Sequence, residues 1–205
     1  MAMPKRSQRD MLETRQLILR KALDLASVEG LEGVTIGRLG DAVSMSKSGL
    51  FAHFGSKEDL QMAIVEAAAD AFDREVLAHI PAAEVGLQRL THFATSWLRY
   101  LERGPFRGGC FFSAIAAEVD DRPGRIRDRV IALTGGWVDI LEKEAAAAQD
   151  AGELDPAADP AQLAFEIHAF VQEANWAFQL HGDAQAFRRA SRAIRRSIDA
   201  ATTRN

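Results

Sequence analysis

The sequence lacks a second cysteine and any long apolar run. A single cysteine, Cys110, excludes an intramolecular disulfide and is typical of a protein from a reducing compartment. No apolar run approaches the roughly 20 residues that a membrane-spanning helix needs. The basic start of the chain is not followed by the apolar segment of a secretory signal. These absences predict a cytoplasmic protein that has no membrane partner.

A large net charge is also missing, but the charges are unevenly distributed. The 205 residues carry a formal net charge of −4, and 47% of them are apolar, enough to bury one large core or two small ones. Residues 1–57 contain nine Lys or Arg and six Asp or Glu, so that part is basic and the remainder is acidic. A basic start on an acidic body is expected when one end of a protein contacts phosphate.

The alternating pattern of a β-strand is absent as well, and the chain shows no internal repeat. Apolar residues recur at helical spacing, and the helical segments are separated by glycine, proline and capping residues. The pattern predicts an all-α fold of about nine helices. The segment 109–119 is apolar nearly all round, which predicts a helix buried on every side. The predicted helices cover residues 9–29, 36–43, 46–53, 56–80, 85–103, 109–119, 125–151, 161–180 and 184–201.

The stretch 35–60 predicts two short helices, a tight turn between them and the start of a third helix. Thr35 and Ser46 are suited to cap the two short helices, and Ser44 lies in the turn. Between Ser46 and His53 the outward positions are small or polar, which is typical of a helix that enters the DNA major groove. The inward side is predicted to consist of Ile36, Leu39, Val43, Met45, Leu50, Phe51 and Phe54.

This arrangement resembles the DNA-binding domain of the tetracycline-repressor (TetR) family of bacterial one-component regulators. The resemblance covers residues 14–66 and includes G-x-x-x-x-T before the turn and S-K-x-x-L-F-x-H-F-x-S-K-E-x-L after it. It implies a helix-turn-helix domain over 1–56, a connecting helix over 57–80, and a larger effector-binding and dimerisation domain over 81–205.

The sequence departs from the family pattern at three positions. Ser44 stands where the turn glycine is common, and Phe51 stands where a tyrosine often contacts phosphate. Gly40 lies inside the second helix, which it is expected to weaken by up to about 1 kcal/mol relative to alanine. These departures concern individual DNA contacts and leave the pattern as a whole intact.

The candidate DNA contacts follow from the matched motif. Lys47 can donate to guanine or phosphate, whereas His53 and Lys57 are placed to anchor phosphates. The alternative is a capped helix with a solvated face, and Phe51 also fits a core position. Arg6 and Arg9 form either a basic arm along the phosphates or a plain disordered start. The full candidate set is Thr35, Ser46, Lys47, Ser48, Gly49, Phe51, His53 and Lys57.

The second domain contains many aromatic residues for one helical body. Most of them are expected to pack in a core, but an effector pocket also needs apolar walls and a few polar groups. Cys110 is expected to be a small buried hydrophobe, with a thiol switch as the alternative. Candidate pocket residues are Phe93, Trp97, Phe111, Phe112, Trp137, His168, Asn175 and Trp176.

The resemblance further implies a homodimer formed by the last two helices. Two copies would then present two recognition helices to an approximately palindromic operator in double-stranded DNA. The helically spaced arginines that follow are expected to form a solvated face or to pair with acidic residues of the other subunit. They are Arg188, Arg189, Arg192, Arg195 and Arg196.

The function that fits these features is a ligand-responsive regulator of transcription, a repressor released by a small apolar or aromatic effector. One alternative is a DNA-binding protein without an effector. The other is a helical enzyme that uses Glu118, Asp120 or Asp121 with His168. The sequence shows no metal-ligand spacing, no glycine-rich phosphate loop and no nucleophile motif. We therefore expect no enzyme activity, no cofactor and no metal.

Overall fold

The structure, a computed structural model, describes residues 8–202, with side chains from residue 10 onward. Within that range the regular structure consists of nine α-helices and one 3₁₀ turn, which confirms the all-α prediction. None of these helices has the length and apolar content needed to cross a bilayer. The elements are α1 (Gln8–Gly33), α2 (Ile36–Val43), α3 (Lys47–Phe54), α4 (Lys57–Glu75), the 3₁₀ turn Leu77–His79, α5 (Gly86–Glu102), α6 (Phe111–Val119), α7 (Arg125–Asp150), α8 (Pro160–His181) and α9 (Ala186–Ala201).

The chain divides into two compact units. The first unit consists of the described residues up to Ala69 together with Phe106–Arg129, and the second consists of Asp70–Pro105 together with the described residues from Val130 onward. The domain limits expected at residues 56 and 81 stay a prediction. The first unit differs from the expected N-terminal domain because it includes α6 and the first turn of α7.

Local capping defines α2 and α3 in the first unit. The Thr35 hydroxyl accepts a hydrogen bond from the backbone N–H of Arg38 at 3.3 Å. The Ser46 hydroxyl accepts one from the N–H of Gly49 at 3.2 Å, so both predicted N-caps are confirmed. Gly55 ends α3 with a φ of 75°. Because these signals lie within a few residues of each helix end, the sequence was sufficient to place them.

In the turn between α2 and α3, glycine would suit position 44 better than serine, whereas position 40 has no room for a side chain. Ser44 has a left-handed φ of 54°, whereas a Cβ on Gly40 would lie 2.8 Å from the Met45 carbonyl oxygen. We expect Ser44→Gly to raise the free energy of unfolding by up to about 1 kcal/mol, since glycine adopts this conformation without strain. Gly40→Ala should lower it by about 1–3 kcal/mol, because the backbone must move.

Urea denaturation of the full chain measures both changes. A stabilising Gly40→Ala would contradict the close approach seen at the turn. It would instead support the expectation from helix propensity alone, in which alanine is the better residue at position 40.

The end of α1 differs from the sequence-based prediction. Gly30 has the left-handed φ of 75° expected of a helix-ending glycine, but the helix resumes for one turn and ends at Gly33. The kink frees the N–H groups of Leu31 and Glu32, which donate to the Glu118 carboxylate at 2.7 and 2.6 Å. A Cβ on Gly30 would overlap this carboxylate. The kink and the carboxylate therefore depend on each other.

The prediction that the sixth helix is buried on every side is wrong. Phe112 and Ile115 of α6 are buried, but Ala114, Ala116 and Ala117 are exposed. Alanine counts as apolar in a sequence pattern, yet it exposes so little surface that it can face solvent at small cost. An alanine-rich segment therefore overstates the burial of its helix.

The second unit also contains helices whose ends are capped by specific side chains. Asp159 accepts hydrogen bonds from the first free N–H groups of α8, with Pro160 at the first helical position, as predicted. Gly182 ends the same helix in a left-handed conformation. At the start of α5 the N–H of Gly86 donates to Glu144 at 3.0 Å, a contact that no short-range pattern indicated.

Candidate nucleic-acid interface

The outward side of α3 is small and polar at its N-terminal end. Ser46, Lys47 and Ser48 are exposed, and Gly49 is half-buried. The hydroxyl oxygens of Ser46 and Ser48 lie 3.1 Å apart. No carboxylate among the described residues pairs with Lys47. The N-terminal end of α3 therefore exposes one ammonium group and two hydroxyls, which suit a phosphate or the edge of a guanine.

Phe51 corrects the predicted inward-facing set. Its side chain is 44% exposed, whereas Leu50 and Phe54 are buried. Since successive residues of a helix are rotated by about 100°, Phe51 points away from the side that Leu50 buries. The structure thus favours the surface position that the family motif gives this residue over the core position. Its DNA contact stays a prediction.

The other predicted contacts, Thr35, His53 and Lys57, are partly engaged within the first unit. Thr35 is exposed while it caps α2, and His53 is half-buried. The Lys57 ammonium lies 2.6 Å from the Glu32 carboxylate. This bond, with a further one from Gln61, holds the pKa of Glu32 below its usual value. Because the Lys57–Glu32 pair is exposed, a DNA phosphate can replace Glu32 at small cost.

Arg15 on α1 holds the C-terminal end of α3, a role that sequence reasoning missed. Its guanidinium donates to the carbonyl oxygen of His53 and lies 4.3 Å from the centre of the Phe54 ring. A cation at a helix C-terminus interacts favourably with the helix dipole and, over a ring, with the π-electrons. These contacts join residues 38 positions apart, so no local pattern reveals them.

We expect Arg15→Met to lower the free energy of unfolding by about 1–2 kcal/mol and to weaken DNA binding. The variant keeps the apolar stem of the side chain but loses both contacts with the end of α3. Urea denaturation and electrophoretic mobility shifts measure the two effects. Arg20→Met, which changes an exposed arginine of the same helix, is the matched control. Equal losses in both variants would attribute the effect to net charge.

Residues 106–129 are fastened to the rest of the first unit at three places. The N–H of Gly108 donates to the Ser27 hydroxyl at 3.0 Å. Arg129 forms a bidentate salt bridge with Glu66, with N–O distances of 2.6 and 2.8 Å, and this salt bridge lowers the pKa of Glu66. Glu118 supplies the third contact through the α1 kink. This candidate catalytic acid is therefore engaged with two backbone amides.

In the second unit a buried aromatic cluster gathers Phe93, Trp97, Trp137 and His168 from the predicted pocket set. Trp97 stacks on Phe93 with ring centroids 5.4 Å apart, and lies 6.0 Å from Trp137 and 5.6 Å from His168. Phe72, at 4.1 Å from Trp137, completes the cluster. Sequence reasoning missed Phe72 because its helical spacing resembles that of any core residue.

The remaining predicted pocket residues lie outside this cluster. Phe111 and Phe112 belong to the first unit and pack on each other with centroids 5.2 Å apart. Asn175 is buried in α8. Trp176 is an exposed residue whose ring contacts His181. A pocket role for these residues stays a prediction, and the exposed Trp176 does not contribute to the buried cluster.

Three further predictions concern the single cysteine, the arginines of α9 and the basic arm at the start of the chain. Cys110 is buried, as expected of a small hydrophobe. The arginines 188, 189, 192, 195 and 196 are all exposed on α9, and Arg189 pairs with Asp183. The basic arm at Arg6 and Arg9 lies outside the residues whose side chains are described.

Comparison with known proteins shows which family has this arrangement. The family model of bacterial regulatory proteins, tetR family, matches residues 18–64, which contain α2 and α3. The model described as tetracyclin repressor-like, C-terminal domain, matches residues 86–194. This chain belongs to the TetR family. The resemblance found in the sequence is confirmed, and the chain is a member of a family of transcriptional regulators.

Several known proteins are similar over much of the chain. The HTH-type transcriptional regulator TcmR of Streptomyces glaucescens is 29% identical over 123 residues, 59% of this chain; the match spans about half, 54%, of TcmR. A TetR regulator from Chloroflexus aurantiacus J-10-FL is 26% identical, with a TM-score of 0.87 over 95% of this chain and 98% of its own. AibR, solved with isovaleryl coenzyme A and operator DNA, is 26% identical, with a TM-score of 0.71 over 87% of this chain and 96% of its own.

Proposed function

We propose that this TetR-family chain is a transcriptional repressor that binds an approximately palindromic operator as a homodimer. A small apolar or aromatic effector releases it. The observation that carries the proposal is the exposed end of α3, where Lys47 lies between Ser46 and Ser48 without a carboxylate partner among the described residues. The structure of AibR with operator DNA and isovaleryl coenzyme A supports both binding activities.

In this proposal α3 enters the major groove and its N-terminal residues contact base edges. Lys47 and Ser48 read the sequence, while Thr35, His53 and Lys57 contact phosphates. Phosphate contacts fix the register of a protein on the duplex, and base contacts select the sequence. Arg15 keeps the far end of α3 in place while the near end reads DNA.

The proposed dimer forms through α8 and α9. Phe165, Trp176 and Leu180 on α8 are 65%, 53% and 62% exposed. Their spacing of 11 and 4 residues places them on one face of the helix. Large exposed apolar side chains that share one face of a helix suit an interface with another protein surface. An open groove of about 660 Å³ also lies between α8 and the arginines of α9.

Leu180→Glu is expected to weaken the proposed dimer by at least about tenfold, because it places two carboxylates in the apolar interface. Analytical ultracentrifugation measures the change. Val85→Glu is the control, since Val85 is an exposed apolar residue outside α8 and α9. An unchanged dimer in Leu180→Glu would rule out this face of α8 as the interface.

The effector is proposed to bind the second unit and to favour a conformation in which the two α3 helices no longer match the operator half-sites. Such coupling requires that the effector binds the two conformations with different affinities. The proposal assigns no catalytic step to the chain and places it in the cytoplasm with its DNA target. In this proposal Glu118 has a structural role: its carboxylate accepts hydrogen bonds from the kinked end of α1 and does not act on a substrate.

An electrophoretic mobility shift with the DNA upstream of the chain's own gene tests the proposal. We expect a complex at moderate salt that survives excess unrelated DNA, contains two chains per site by native mass spectrometry, and dissociates with one member of a metabolite panel. A transcription reporter that rises when the gene is deleted would establish repression. The absence of any sequence-specific complex would refute the proposed function.

A further inference from the structure

The indole N–H of Trp97 is a buried hydrogen-bond donor without an acceptor. Trp97 is 2% exposed, and its Nε1 has no partner among the described residues. Buried donors are nearly always paired, because an unpaired donor loses its hydrogen bonds to water and gains none in the protein. A ligand atom that accepts a hydrogen bond at this point would satisfy the donor.

A second donor lies beside the Trp97 indole. His168 Nε2 is 3.1 Å from the side-chain nitrogen of Gln172, and an amide nitrogen can only donate. His168 Nε2 is therefore the acceptor, and the ring proton resides on Nδ1. Burial lowers the pKa of His168 and so favours the neutral ring. No acceptor for Nδ1 is present among the described residues.

Aromatic rings surround the Trp97 indole. Phe93 stacks on the Trp97 indole, and the edge of Phe72 approaches it with centroids 5.2 Å apart. The centroid of the His168 ring lies 5.6 Å from that of the indole. These walls contribute apolar area, and burial in them disfavours a charged ligand atom.

We propose that Trp97 Nε1–H and His168 Nδ1–H form the polar end of the effector site, which takes a neutral carbonyl oxygen on a flat or branched apolar skeleton. The proposal rests on the proposed function and names the class of effector: ketones, esters and related carbonyl compounds. The carbonyl oxygen satisfies both donors. Because the rings are in contact in this structure, the ligand enters by moving them apart, which gives it the differential affinity that regulation requires.

A panel of ketones, each paired with the hydrocarbon of the same skeleton, tests the assignment by thermal shift of the full chain. We expect at least one ketone to raise the unfolding midpoint more than its hydrocarbon. Trp97→Phe keeps an aromatic ring but loses the donor. It should lower the affinity for that ketone by about tenfold or more. Tyr100→Phe, which removes a hydroxyl from a ring packed on Phe72, is the matched control and should retain binding.

Selective ¹⁵N labelling of tryptophan gives a readout that needs no folded variant. Of the three tryptophans, Trp97 and Trp137 lie in the cluster and Trp176 is exposed. Ketone addition is therefore expected to move one of the two cluster signals by the shift of a new hydrogen bond, which the hydrocarbon does not produce, and to leave the Trp176 signal in place. Equal binding of both compounds, unchanged ketone affinity in Trp97→Phe, or no binding ketone in the panel would each overturn the inference.

The outcome separates this inference from the proposed function. If another compound class releases the wild type and Trp97→Phe from DNA alike, the regulator remains and the carbonyl site is refuted. If ketones bind Trp97 but no sequence-specific DNA complex forms, the site remains and the proposed function is refuted.

Discussion

Lys47→Ala is expected to weaken operator binding by about 100-fold while the unfolding midpoint stays unchanged. A good side-chain contact to a base is worth about 1–3 kcal/mol, and a dimer loses the contact in both half-sites. Lys47 is exposed at the start of α3 and supports no contact of the core. Mobility shifts or fluorescence anisotropy with operator DNA measure the affinity, and circular dichroism measures the fold.

Lys143→Ala is the matched control, because it removes the same charge from an exposed position of α7 in the second unit. It should leave the affinity within about twofold. The dependence of affinity on salt separates the two possible roles of Lys47. A phosphate contact lowers the salt slope by about 1 per protomer, whereas a base contact changes the preference for operator over other DNA. If Lys47→Ala binds operator DNA as tightly as the wild type, the assignment of α3 as the DNA-contacting helix is wrong.

Gly108→Ala is expected to lower the free energy of unfolding by about 3 kcal/mol. The N–H of Gly108 donates to the Ser27 hydroxyl, and a Cβ at this position would overlap the Ser27 carbonyl oxygen. Neither backbone can move easily, because Ser27 is buried within α1. Denaturation by urea, followed by circular dichroism, measures the loss.

Two further variants distinguish the overlap from other effects. Gly135→Ala changes an exposed helical glycine that has no atom within 4 Å of an added Cβ, and should stabilise the chain by about 0.5–1 kcal/mol. Ser27→Ala removes only the hydrogen bond, and should cost about 1 kcal/mol. A Gly108→Ala variant as stable as wild type would show that residues 106–129 are not held against α1 in solution.

Features of a helix that depend on residues close in sequence were predicted correctly, whereas burial, which depends on the neighbouring helices, was predicted only in part. The caps of α2, α3 and α8 were predicted because Thr35, Ser46 and Asp159 bond to N–H groups two or three residues away. Helical spacing also predicted that Leu39 and Leu50 are buried. It failed for Phe51 and for the alanines of α6, since a pattern counts apolar residues but does not measure how much area each exposes.

The candidate sites show the same division. The outward residues of α3 were predicted from one continuous motif, and the structure exposes the first three of them. The clamp by Arg15 and the role of Phe72 were missed, because each depends on a partner far along the chain. The pocket set was chosen by residue type alone, and type does not tell a buried ring such as Trp97 from an exposed one such as Trp176.

By itself, the sequence determined an all-helical chain with a TetR-type recognition helix, because capping and helical periodicity act over a few residues. Only the tertiary structure decided that residues 106–129 belong to the first unit and that Glu118 caps the kink of α1 from 87 residues away. It also decided which rings surround the Trp97 N–H. Contacts of this kind depend on how the helices pack, and packing depends on the shapes of many side chains at once.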